Sequence, residues 1–191
     1  EYRQTLGIPE KAQVVGSIFR FWVEKRPMLW LQTAALVAKR FPEVHFLIIG
    51  EGPMRQEMES FICNSGLKGR VHLPGTRPEV ATPLSAMNAF VLTSEFEGTP
   101  NVVLEAQWLG LPVVATDAGG TRESFECNVT GLLAANPATE EIALLIGEYL
   151  VNETKMTEAE IHGPRFVARA FCIKRMTQAT IRLYGFDSDT A

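Results

Sequence analysis

The chain has 191 residues, 46% hydrophobic and 21% charged, with a formal charge of -4. That length fits one domain with a sizeable core, the acidic balance argues against a general nucleic-acid binder, and no run approaches the roughly 20 apolar residues that span a bilayer. Cys63, Cys127 and Cys172 lie far apart without Cys-x-x-Cys spacing, which argues against a zinc site or a disulfide framework and predicts buried, reduced thiols.

Short β-branched and aliphatic runs alternate with helical patterns along the chain. In order, the spacing predicts strands over 13–18, 44–49, 70–73, 88–93, 112–116 and 131–134. Between them it predicts helices over 27–40, 53–65, 78–86, 100–110 and 139–150, four of which carry a proline at their start, where its missing N–H costs nothing. Several strands are apolar throughout, as strands covered on both faces are. The fold class is therefore α/β, a doubly wound, Rossmann-like parallel sheet of about six strands with helices on both faces. Ligands of such sheets bind beyond the carboxyl ends of the strands. Residues 158–170 and 174–184 read as further helices, the second with Met176, Ile181 and Tyr184 spaced to lie on a partner. The tail 187–191 reads as disordered. One domain is expected over 1–191, its last helices over about 158–185.

The most informative segment follows the fourth strand: Glu97-Gly98-Thr99-Pro100-Asn101-Val102-Val103-Leu104-Glu105. Thr99 can cap and Pro100 can start a helix there, leaving the N–H groups of Asn101, Val102 and Val103 free to cradle an anion with the helix dipole behind them. Gly98 permits close backbone approach. A carboxylate beside a phosphate cradle repels the ligand unless it has another task, such as accepting hydrogens from sugar hydroxyls. Two of them, Glu97 and Glu105, suit a ligand with hydroxyls on both sides of its phosphates, as a nucleotide sugar has. A capped helix with two solvated glutamates is the bland alternative.

Three more loops follow strands. Arg20 and Lys25 place two cations after the first strand, where they can neutralise a diphosphate; Glu24 and Arg26 beside them read as solvated. Gly50-Glu51-Gly52-Pro53 opens like a dinucleotide fingerprint, but Arg55 stands where the third glycine belongs, so the glycines are read as a tight turn close to a ligand. Asp117-Ala118-Gly119-Gly120 is a flexible turn into a helix. Asp187-Ser188-Asp189 matches an Asp-x-Asp metal pattern but follows no strand and reads as accidental. His45, His72 and His162 lack metal spacing, and no metal is expected.

These loops together resemble the C-terminal domain of the retaining, two-Rossmann-domain (GT-B) glycosyltransferases of the family 4 type. The resemblance runs from about Leu6 to Tyr184 and rests on Val15-Gly16, Arg20 with Glu24-Lys25, Ile48-Ile49-Gly50-Glu51-Gly52-Pro53, Val71-His72-Leu73-Pro74-Gly75, the Glu97 to Glu105 block, Gly110-Leu111-Pro112 and Gly119-Gly120 with Glu123. Glu24-Lys25-Arg26-Pro27 and Gly98-Thr99-Pro100-Asn101-Val102 look most like bacterial capsular and Vi polysaccharide enzymes. The resemblance implies that Arg20 and Lys25 hold the donor diphosphate with the backbone of Asn101, Val102 and Val103. It implies that Glu105 binds the ribose and Glu97 the transferred sugar. Gly50 and Gly52 flank the donor, and Arg77 meets the base near residues 74–77. It further implies a UDP-sugar donor, no metal or other cofactor, and a cytoplasmic setting. A glycan or lipid-linked acceptor is held by an N-terminal domain that this sequence lacks, so the isolated domain is expected to turn over little. Peripheral membrane association belongs to the full-length protein. A sugar-nucleotide epimerase and a non-catalytic assembly module in capsule synthesis are the alternatives. Ser17 departs from an arginine frequent in relatives, and Arg26 from a frequent glycine.

Overall fold

The computed structural model describes residues 1–185; the Asp-x-Asp match and the tail at 187–191 lie outside the described residues. Among those described, the strands are β1 Val14–Ile18, β2 His45–Ile49, β3 Val71–His72, β4 Ala89–Leu92, β5 Val113–Thr116 and β6 Gly131–Ala134. They form one parallel sheet in the order β3-β2-β1-β4-β5-β6. The helices are α1 Tyr2–Thr5, α2 Pro27–Arg40, α3 Arg55–Asn64, α4 Ala81–Ser85, α5 Asn101–Trp108, α6 Thr139–Val151, α7 Glu153–Ala170 and α8 Ile173–Leu183.

The sheet is buried on both sides because successive side chains alternate between two cores. Val15, Phe46, Ile48, Val91 and Val114 point into one, against Trp30 and Leu31 of α2, Met58 of α3 and Ile142 and Ile146 of α6. Val14, Leu47, Ile49, Phe90 and Val113 point into the other, against Leu84 of α4 and Val103 and Ala106 of α5. Ser17 is part of this interior. It is buried, accepts a 2.6 Å hydrogen bond from the Trp30 indole and donates to the Val91 carbonyl. An arginine could not occupy that position without expelling Trp30.

Five of the six predicted strands shorten by a residue or two at their ends, and β6 keeps its predicted bounds. β3 and β4 each lose two residues, and β3 is an edge strand paired only through Phe46↔Val71 and Leu47↔His72. The thiols contradict the sequence reading: Cys63, Cys127 and Cys172 are all exposed. Cys63 lies on the outer face of α3 and Cys172 caps α8, positions where helical spacing turns the residue to water.

His45 and His72 pair across β2 and β3, Nδ1 to Nε2 at 3.0 Å, with the rings stacked at 5.3 Å. Burial lowers the pKa of both; Arg70 adds to the lowering at His45 against a smaller opposing pull from Glu43, and His45 adds to it at His72. A histidine whose folded pKa is depressed contributes stability above its unfolded value, about 6.5, that is lost as pH falls through that region. Thermal midpoints should therefore drop by a few degrees between pH 7.5 and 5.5; His72→Gln should remove the His72 part of this dependence and leave the part that burial and Arg70 impose on His45.

The C-terminal helices differ sharply. α7 packs on α5 and α6. α8 buries no residue, and Ile173, Met176, Leu183 and Tyr184 lie exposed. Its apolar side thus has no partner among the described residues.

Candidate functional site

β1 and β4 are neighbours at the centre of the sheet, where the chain stops winding towards β3 and starts winding towards β6. Loops leaving two such strands diverge and open a crevice. Here the β1 loop carries Arg20 and Lys25, and the β4 loop carries Glu97 and the start of α5. Several contacts tie the two loops together. The Lys25 ammonium lies 2.6 Å from Glu97 Oε1, with only 17% and 13% of the two side chains exposed. Arg26 pairs with Glu95 at 3.1 Å. The Glu95 N–H donates to the Glu24 carbonyl at 2.8 Å, and the Thr93 hydroxyl to the Lys25 carbonyl at 3.0 Å.

Arg26 is therefore not merely solvated. It adopts the left-handed conformation, φ 50° and ψ 53°, at the N-cap of α2, a conformation that glycine adopts more readily. Its ion pair with Glu95 holds the bend that delivers Lys25 to Glu97. Arg20 stands apart from this lattice: its side chain is 72% exposed, 3.9 Å from Glu24 and 5.9 Å from the Trp22 ring centre. It is free to turn towards a ligand.

The helix start differs in detail from its prediction. Pro100, in extended conformation, is the N-cap of α5, and no side chain caps the helix; Thr99 is exposed. The Val103 N–H donates to the Pro100 carbonyl at 3.0 Å, so it is not part of the cradle. Asn101 and Val102 keep N–H groups with no backbone acceptor among the described residues, which suffices for an anion with the helix dipole behind them. A Cβ on Gly98 would meet open space. The protein's own packing does not require that glycine, and the space in front of it is available to a ligand.

The other glycines make close contacts within the protein. Gly50 and Gly52, at φ 149° and 158°, let the β2 loop press against the β1 loop: a Cβ would overlap the Phe19 carbonyl oxygen at Gly50 and lie 2.6 Å from the Phe21 oxygen at Gly52. Hydrogen bonds from Phe21 N to Glu51 O, 2.9 Å, and from Met54 N to Phe21 O, 3.1 Å, close the contact. Arg55, the residue that breaks the dinucleotide fingerprint, bonds Glu59 and the Leu73 carbonyl, each at 2.9 Å. It staples the β2 loop to β3. Gly119 and Gly120 do the same for the β4 loop, lying against the carbonyls of Glu97 and Gly98.

Glu105 lies on α5 and is exposed; nothing among the described residues pairs with it. It lines a largely apolar groove of about 380 Å³ that runs from Asn101 down between α4, α5 and the end of α7, past Leu84, Trp108 and Phe171. The sequence reading missed this groove because its walls come from segments up to ninety residues apart. Arg77 is exposed, its guanidinium 3.3 Å from the Tyr2 hydroxyl and 5.9 Å from that ring centre, so it is tethered to α1. Among the described residues no three metal-ligating side chains gather, and no helix is long and apolar enough to cross a membrane.

The family model for group 1 glycosyl transferases matches residues 1–163. The chain belongs to that family. It is 36% identical over 140 residues to the Vi polysaccharide biosynthesis protein VipC/TviE of Salmonella typhi, a match covering 72% of this chain and 24% of that protein. It is 28% identical to the lipopolysaccharide core biosynthesis glycosyltransferase LpsE of Rhizobium meliloti (strain 1021), covering 95% of this chain and 52% of that one. The crystal structure of Anabaena Alr3699/HepE in complex with UDP and glucose superposes with a TM-score of 0.86 at 25% identity, covering 96% of this chain and 50% of that chain. The chain thus spans between a quarter and about half of these relatives. It is a GT-B type glycosyltransferase domain whose homologues include bacterial polysaccharide biosynthesis enzymes.

Proposed function

We propose that this chain is the donor half of a retaining hexosyltransferase that uses a UDP-sugar in bacterial surface polysaccharide synthesis. The observation that carries the reading is the crevice between β1 and β4. There the β1 and β4 loops meet through Lys25 and Glu97 at 2.6 Å, and the start of α5 leaves the N–H groups of Asn101 and Val102 without a backbone acceptor among the described residues. The HepE complex with UDP and glucose, on the same fold, supports it.

In this reading the donor diphosphate lies on the start of α5 between Arg20 and Lys25, Glu105 takes the ribose hydroxyls, and the base lies towards residues 74–77. Glu97 accepts hydrogens from the transferred sugar. As the anomeric C–O bond breaks, charge grows on the departing phosphate oxygen, where two cations and a helix terminus stabilise it without a metal. The acceptor oxygen attacks from the face the nucleotide leaves, its proton passing to that phosphate oxygen. The acceptor, a glycan or a lipid-linked sugar, is held by a separate N-terminal Rossmann domain. Across that cleft the cytoplasmic full-length enzyme completes its site, so this domain binds donor but turns over little.

Calorimetric titration of the chain with UDP, GDP and ADP in EDTA tests the reading. Saturable binding of UDP above the others is the expected result; binding of no nucleotide by this chain or by the full-length protein supports the non-catalytic assembly module instead. Lys25→Ala should weaken UDP binding roughly fivefold, ~1 kcal/mol, and also lower stability, because it strands a mostly shielded carboxylate.

A further inference from the structure

We infer that Lys25 changes partner during the binding cycle, leaving Glu97 for the donor diphosphate, and that this exchange makes the site prefer a nucleotide sugar over the spent nucleotide. The inference rests on the donor reading above. In the ligand-free protein the Lys25 ammonium is committed to Glu97 at 2.6 Å, and both side chains are mostly shielded from water. Of the two cations assigned to the diphosphate, this ammonium is the one held inward; Arg20 is 72% exposed.

The backbone of both segments is fixed independently of this pair. Arg26 with Glu95, Glu95 N–H with the Glu24 carbonyl, and Thr93 with the Lys25 carbonyl hold the main chain one or two residues away on each side. What can move is therefore the lysine side chain, with four rotatable bonds, not the loops. When it turns to a phosphate, Glu97 loses its counter-charge in a place where water cannot fully replace it. A transferred sugar supplies hydroxyl donors to that carboxylate. A free nucleoside diphosphate supplies none, so its binding carries the whole cost of the broken ion pair. Once the sugar has left on the acceptor, Lys25 is drawn back to Glu97 and the nucleotide is released. The pair thus acts as a specificity element and opposes inhibition by the nucleotide product.

A double-mutant cycle tests this on the chain as it stands, with UDP and UDP-glucose as calorimetric probes against wild type, Glu97→Gln, Lys25→Met and the double variant. Glu97→Gln frees Lys25 and should tighten UDP binding roughly tenfold, the size of one charged hydrogen bond, while UDP-glucose gains little or loses. In the Lys25→Met background the same change should alter UDP affinity by about twofold or less. If Glu97→Gln tightens UDP equally with and without Lys25, the carboxylate merely repels phosphate and the exchange is wrong. Unchanged UDP affinity in Glu97→Gln also overturns it. Wild-type binding of neither probe overturns the donor reading itself, and the exchange with it.

Discussion

Replacing Glu105 by alanine should weaken UDP binding about a hundredfold and leave the thermal midpoint unchanged. The first half follows from chemistry. A carboxylate that accepts from both ribose hydroxyls makes two charge-assisted hydrogen bonds, each worth ~1.5 kcal/mol or more, and alanine makes neither. The second half follows from position. Glu105 is exposed on α5, and nothing among the described residues pairs with it, so the fold loses no contact and gains a residue of higher helix propensity. This separation of affinity from stability is what marks a ligand-facing residue. Glutamine at the same position should recover part of the affinity, since it keeps one acceptor oxygen. Calorimetry and a thermal melt on the two variants decide the matter; a midpoint drop that tracks the affinity loss would show Glu105 to be structural instead.

How much of this site could be read from the sequence depends on the range over which each feature is encoded. The four post-strand loops were legible because glycine, proline and charged residues interrupt apolar runs locally, and β1, β2 and β4 are buried on both faces. Helix starts were less so. Proline at 53 and 78 predicts the first helical residue, yet α3 begins at Arg55 and α4 at Ala81. Met54 N is taken by the Phe21 carbonyl, and Glu79 accepts from Thr82 N, so distant and neighbouring acceptors moved the starts inward. Thr99 failed as a cap for a related reason: the turn before α5 is set by Gly119 and Gly120 lying against the backbone of Glu97 and Gly98. The ion pairs Lys25 with Glu97 and Arg26 with Glu95 join residues about seventy positions apart, and no local pattern announces them. Burial of the thiols is the expectation because cysteine is among the residues most often buried; Cys63 on the outer face of α3 and Cys172 at the start of α8 override it.

Gly119→Ala should unmake the site while leaving most of the domain folded. Gly119 sits at φ 57°, where an alanine costs ~1–2 kcal/mol in backbone conformation alone. Its Cβ would also overlap the Glu97 carbonyl oxygen, which is backbone and cannot rotate away. The two segments must separate, breaking the hydrogen bond from Gly120 N to Glu97 O at 3.1 Å and carrying Glu97 away from Lys25. A displacement near 1 Å at a catalytic group costs up to about a hundredfold in activity or transition-state binding, and the nucleotide cradle one turn further on should lose more than tenfold in UDP affinity. Gly66→Ala separates the two contributions. Gly66 also has a positive φ, 72°, but nothing lies within 4 Å of where its Cβ would be. That variant bears the conformational cost without the collision and lies in the turn after α3, away from the crevice. Both variants should therefore melt earlier than wild type, Gly119→Ala by more, and only Gly119→Ala should lose UDP. Equal affinities in the two would mean that the β4 loop tolerates the displacement and that Glu97 is held by Lys25 rather than by the glycine turn.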